Sequence, residues 1–78
     1  MKYTKHKINA SNEHIESVID NHINGFKAYR NRHVLKRRLC DGLTFEELAE
    51  EFDMSVRQVK KIVYDSEQII TKYLRVGD

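Results

Sequence analysis

The chain contains no proline and only three glycines among 78 residues, so little interrupts a helix once one has started. Apolar residues recur at spacings of three and four over most of the length, the interval that lines one face of an α-helix. The pattern predicts an all-α, four-helix single domain with a helix-turn-helix and a long C-terminal helix. The first helix is expected from Asn12 to Asn24, with Ser11 as N-cap, Ile15, Val18, Ile19 and Ile23 in one stripe, and Gly25 as its stop. The second is expected from Phe26 or Lys27 to Asp41, with Ala28, Leu35 and Leu39 on one face and Gly42 supplying a left-handed close. Thr44 and Glu47 have the spacing of a capping box that opens a short third helix, whose inward residues are Phe45, Leu48, Ala49 and Phe52. Ser55 and Gln58 repeat the device at the start of the fourth. There Val56, Val59, Ile62, Val63, Ile69, Ile70, Tyr73 and Leu74 carry an apolar stripe to near the C-terminus. The second half of that stripe needs a cover, either the first helix or a second copy of the chain. Residues 1–10 read as a basic, mobile tail, and 11–78 as the helical domain.

A domain of this size buries only roughly 60% of its unfolded surface, which leaves little room for a deep catalytic pocket. The single Cys40 excludes an internal disulfide, and no apolar run approaches the length of a membrane span. The start, Met1 to Lys7, has no hydrophobic segment of the kind a signal peptide needs, so a reducing cytoplasm is the expected location.

The net charge of +2 is less informative than its order along the chain. From Gly25 to Cys40 every charged residue is basic: Lys27, Arg30, Arg32, Lys36, Arg37 and Arg38. From Asp41 to Asp53 every one is acidic: Asp41, Glu46, Glu47, Glu50, Glu51 and Asp53. Arg57, Lys60 and Lys61 then restore the basic sign between Ser55 and Tyr64. A single block of this kind describes a solvated helix face; two basic elements flanking an acidic one acquire meaning only in a fold.

The most specific constellation is Leu48-Ala49, then Met54, then Val59 and Ile62. Two helices that cross steeply through a tight turn need apolar anchors at these intervals and a very small residue where they approach, here Ala49. A helix-turn-helix over residues 45 to 64 follows. Asp53 stands where such turns usually carry glycine, and aspartate is among the few residues that tolerate positive φ.

The segment from Arg32 to Val59 resembles the promoter-reading C-terminal domain of bacterial sigma factors, known as region 4. The elements that carry the likeness are Val34-Leu35, Gly42-Leu43-Thr44, Glu47-Leu48-Ala49 and Val59, and it extends over Asn31 to Ile70, about half of the chain. LuxR-type regulators share much of the pattern, with the Val-Leu pair one residue closer to the glycine, so the spacing sides with the sigma-like branch. Arg37 stands where the sigma family carries an apolar residue. The resemblance implies a stand-alone DNA-binding module of the kind typical of phage and prophage regulators, lacking the part of a sigma factor that grips RNA polymerase.

In that geometry the start of the fourth helix faces the major groove, which makes Ser55, Val56, Arg57, Gln58, Lys60, Lys61 and Tyr64 the DNA-binding candidates. Arg57 suits a guanine edge, Gln58 an adenine edge and Val56 a thymine methyl, while Lys60, Lys61 and Tyr64 suit phosphates. Thr44 is expected to offer a backbone N–H to a phosphate, and Arg37 and Arg38 to lend the second helix a sequence-independent attraction. The outward Glu46, Glu50 and Glu51 fit a solvated face, a repulsion of misplaced DNA or a basic partner.

Other chemistry fails on spacing. His14 and His22, and His33 and Cys40, stand about two helical turns apart, too far for either pair to share a metal ion or act as a catalytic dyad. No metal, catalytic residue or cofactor is expected. The leading reading is a sequence-specific duplex-DNA-binding regulator of transcription. Its rivals are a protein-interaction module for RNA polymerase and the DNA-recognition subunit of a phage packaging enzyme. The sequence leaves the oligomeric state open, and the apolar stripe of Ile69, Ile70, Tyr73 and Leu74 on the C-terminal helix is where the interface of a homodimer would lie.

Overall fold

The computed structural model describes residues 11–74, and the basic tail expected at 1–10 lies outside the described residues. Four helices follow in order: α1 (Asn12–His22), α2 (Ala28–Leu39), α3 (Phe45–Glu51) and α4 (Val56–Leu74), with no strand among the described residues. The fold is all-α, as the apolar spacing predicts.

Ser11 caps α1 by accepting the His14 N–H at 3.2 Å. The helix ends earlier than the expected Asn24, because Ile23 leaves helical geometry at φ −99°, ψ 102° while its own N–H still reaches the Ile19 carbonyl. Arg32 fixes that exit: its Nε donates to the Ile23 carbonyl at 2.7 Å and its Nη2 to Asn24 Oδ1 at 2.9 Å. Gly25, at φ 97°, therefore belongs to the turn that follows and is not the helix stop. α2 starts at Ala28 behind a left-handed Lys27 (φ 58°) that contributes no side-chain cap. It closes two residues before the expected Asp41. Gly42, buried and left-handed at φ 75°, then turns the chain so that the Leu43 N–H meets the Arg37 carbonyl at 3.2 Å.

The core is one cluster. Ile15, Ile19, Val34, Leu35, Leu39, Leu48, Val59 and Ile70 are completely buried, with Val63 and Leu74 almost so. Each such side chain contributes about 1.5–3 kcal/mol when taken from water. α4 touches all three other helices, whereas α1 and α3 do not touch one another. The long helix thus carries α3 on its first half and α1 on its second.

That arrangement answers what covers the C-terminal stripe. Ile70 and Leu74 lie in the core that α1 helps to build, and Tyr73 stacks on His22 of α1 with ring centroids 3.6 Å apart. The surface expected to form a homodimer is thereby reduced to Ile69 and one face of Tyr73, each slightly under half exposed. Phe45 and Phe52, expected to face inward, are half-buried and pack on the margin of the core. No helix among the described residues is long and apolar enough to cross a membrane.

The α3–α4 turn is fixed by three backbone hydrogen bonds: Phe52 N–H to Leu48 O at 3.0 Å, Asp53 N–H to Glu50 O at 3.4 Å, and Met54 N–H to Ala49 O at 2.8 Å. Asp53 takes φ 55°, the left-handed value expected of the residue at the usual glycine position. Asp53→Gly should therefore raise the unfolding free energy by up to about 1 kcal/mol, and Asp53→Val should lower it by about 1–2 kcal/mol, read as shifts of the urea midpoint at constant m-value.

Candidate nucleic-acid interface

The capping boxes decide where α4 begins. The Ser55 N–H donates to Gln58 Oε1 at 3.0 Å, and the Gln58 N–H returns a bond to Ser55 Oγ at 3.1 Å. With the turn held by backbone bonds on one side and this reciprocal pair on the other, the first turns of α4 are presented as a rigid ridge. Val59 and Val63 face the core, so at 3.6 residues per turn the opposite crest carries Arg57, Lys61 and Tyr64, all exposed. No carboxylate or carbonyl among the described residues accepts a bond from the Arg57 guanidinium. Lys61 is paired with Asp65 at 3.0 Å on an open surface, where such a pair contributes little. Val56 is half-buried against the core, which leaves only part of its side chain to meet a ligand.

Two flanks rise beside the crest. On the α3 side, the Phe45 ring collects three of the predicted residues: Arg38 with its guanidinium carbon 4.0 Å from the ring centroid, Lys60 with Nζ at 5.7 Å, and Tyr64 edge-on with centroids 5.8 Å apart. Phe45 is thus the platform on which a cation of α2 and a cation of α4 converge, a role its apolar character conceals in the sequence. Arg38 is further oriented by donating Nη1 to the Leu43 carbonyl at 2.8 Å. On the α2 side, a groove of about 310 Å³ between the start of α2 and α4 is lined by Arg30, Asn31, Gln58, Lys61 and Asp65, among others. Arg30, whose Nε and Nη2 both reach Asn31 Oδ1 at 3.2 Å, brings a cation to this flank that the motif reading did not single out. Only tertiary packing sets the first turn of α2 beside α4, so no local signal marks Arg30.

Several expected roles change. The Thr44 N–H, expected to meet a phosphate, is donated to Glu47 Oε1 at 2.8 Å as half of the capping box. Gln58 Oε1 accepts from both the N–H and the Oγ of Ser55, so the bidentate amide geometry that reads adenine would require breaking the cap. Gln58 and Ser55 are better described as residues that position Arg57. Arg37 forms a fork on Glu51, Nε to Oε2 at 2.8 Å and Nη2 to Oε1 at 2.7 Å, and donates Nη1 to Asp41 at 2.9 Å. This explains a charged residue where the resemblance leads one to expect an apolar one: Arg37 ties the end of α2 to the end of α3 across the surface, and its charge is matched locally. Lys36 pairs with Asp20 of α1 at 2.9 Å, and Arg32 holds the end of α1. The basic second helix is therefore mostly an internal clamp. Of its cations, Arg30 and Arg38 border α4.

Among the described residues neither the histidines nor Cys40 assemble a centre. His22 stacks on Tyr73, His33 lies against Tyr29, and the Cys40 thiol points at the Asn12 carbonyl at 3.8 Å. Among the described residues no three His, Cys, Asp or Glu side chains are grouped to hold a metal ion. Comparison with protein-family models, with curated proteins and with solved structures finds no match, so the functional reading rests on this geometry.

The Arg37 hydrogen bonds hold the Glu51 carboxyl below the usual glutamate range, and the two carboxylates raise the Arg37 guanidinium further above its already high value. A carboxyl whose folded pKa is depressed stabilises the fold above its unfolded pKa, near 4.5 for glutamate, and that stability is lost as pH falls through the lower folded value. Glu51→Gln should therefore lower Tm near neutrality and flatten its decline below about pH 4.5, measured by circular dichroism melts across that window.

Proposed function

We propose that this chain is a sequence-specific duplex-DNA-binding regulator of transcription that inserts the first turns of α4 into a major groove. The observation that carries the reading is the exposed, unpaired Arg57 on a rigidly capped helix start, with cations on both flanks and no acidic side chain from Val56 to Tyr64. The major groove admits one α-helix, and the phosphates of the two strands then lie on either side of it. Arg57 at the crest reads a guanine edge, the exposed part of Val56 meets a thymine methyl, and Lys60 with Arg38 approaches one strand. Lys61 with Arg30 approaches the other. Gln58 keeps its amide nitrogen as a single donor while its oxygen holds the cap. Asp65, beside Lys61, moderates affinity on its flank.

The resemblance of residues 31–70 to sigma region 4 supports the same docking, with a phage-type regulator in the cytoplasm as the proposed context. No cofactor or catalytic step enters. The exposed Glu46 and Glu50 on α3 lie on a separate acidic surface, whose negative charge disfavours docking of DNA through that face.

Selection on randomised duplexes followed by fluorescence anisotropy tests the proposal. Binding should weaken steeply as salt rises, and Arg57→Ala should cost about 1–3 kcal/mol on the selected site while leaving non-specific binding nearly intact. Lys60→Ala should weaken all sequences alike and reduce the salt slope by about 1. Asp65→Asn should tighten binding at low salt. Duplex affinity that is absent, or indifferent to Arg57 and to salt, would contradict the proposal.

A further inference from the structure

The turn between α1 and α2 and the start of α2 carry the two most exposed large apolar side chains of the described residues, Phe26 at 88% and Tyr29 at 77%. The chain holds them there against two penalties. An aromatic side chain left in water forgoes the gain of burial. Lys27, at φ 58°, occupies the left-handed region that is unfavourable for a residue with a Cβ. The Arg32 bonds to Ile23 and Asn24 anchor the chain immediately before this turn, so it cannot relax by lengthening α1. Tyr29 lies against His33 one turn on, with centroids 4.7 Å apart, and the result is an aromatic ridge along the start of α2.

The ridge is also basic. Lys27 Nζ lies 5.5 Å from the Phe26 ring centroid, Arg30 follows on the same turn, and no Asp or Glu occurs between Asn21 and Cys40. The acidic groups that reach α2 or its groove are taken: Asp20 by Lys36, Asp41 and Glu51 by Arg37, Asp65 by Lys61. Lys27 thus keeps uncompensated charge beside the Phe26 ring, and Arg30, next to Tyr29 in the chain, has no carboxylate partner among the described residues.

We propose that this ridge docks an acidic segment of another protein, which seats an apolar side chain against Phe26 and Tyr29 and sets its carboxylates on Lys27 and Arg30. Duplex DNA matches the charge but offers the rings only hydrophilic phosphates, its bases being confined to the grooves. A second copy is the poorer fit, because the acidic concavity on its α1 is lined by Glu13, Glu16, Ser17, Asp20 and Asn21, all polar. The surface goes beyond the DNA reading; Arg30 is the residue the two share, and the test leaves it in place.

Panning a random peptide library against the wild-type chain and the Phe26→Ser/Tyr29→Ser variant decides the matter, since both side chains are exposed and circular dichroism verifies that the variant keeps its helices. The expected result is peptides that combine Asp or Glu with Leu, Ile or Phe. Remade with a fluorescent label, they bind the variant at least about tenfold more weakly, and their Gln/Asn versions lose affinity similarly. Duplex affinity of the variant should match wild type. Failure to enrich any peptide that prefers the wild type, or enrichment of peptides without acidic residues, overturns the proposal. So does a tenfold loss of duplex affinity in the variant, which assigns the ridge to DNA, or wild-type self-association abolished by the substitutions, which assigns it to a second copy. A chain with no duplex affinity leaves the peptide result decisive.

Discussion

The apolar stripe of α4 is the interaction on which the other elements depend. Val59 and Val63 on its first half are buried in the core with Leu48 of α3, and Ile70 and Leu74 on its second half with the α1 residues Ile15 and Ile19. Since α1 and α3 do not meet, the two ends of the molecule are joined only through α2 and α4. A helix buried on one face along 19 residues cannot roll, because rotation by one residue would exchange a core valine for a charged neighbour. The orientation of the outer crest is therefore set by the core. Arg57 and Lys61 point outward because Val59 and Val63 point inward.

Electrostatics then separates the surface into parts with different work. Most cations of α2 brace the fold: Arg32 holds the exit of α1, Lys36 meets Asp20, and Arg37 clasps Glu51 and Asp41. Arg57 and Lys60 of α4, and Arg30 beside it, form no ion pair among the described residues and are left to act outward. A count of basic residues along the chain treats both groups alike. Their division depends on which carboxylates and carbonyls the fold brings within bonding distance, and it concentrates the available positive charge around one helix start.

Much of the fold was legible in the sequence because its determinants are local. The capping boxes at Thr44 and Ser55, the left-handed Gly42 and Asp53, and the apolar stripe of α1 all involve residues within a few positions of each other, where sterics and hydrogen-bond geometry act without tertiary help. What escaped is non-local. The early end of α1 depends on Arg32, nine residues from Ile23; the Arg37 fork spans fourteen residues to Glu51; the Phe45 platform depends on Lys60 and Tyr64 of another helix. In the candidate site, the crest residues follow from periodicity, whereas the Thr44 N–H and the Gln58 amide oxygen are engaged in the capping boxes. The same side-chain groups that cap a helix in isolation are those a ligand would need.

The proposed role requires that the crest of α4 be the surface that meets duplex DNA. Nuclear magnetic resonance answers this residue by residue, by titrating the isotopically labelled chain with a duplex chosen by selection. The largest amide shifts should fall between Ser55 and Tyr64, together with the Arg57 Nε resonance and residues around Phe45, while the outer face of α1 at Glu13 and Glu16 stays unmoved. Shifts confined to α1, or none at saturating duplex, would contradict it.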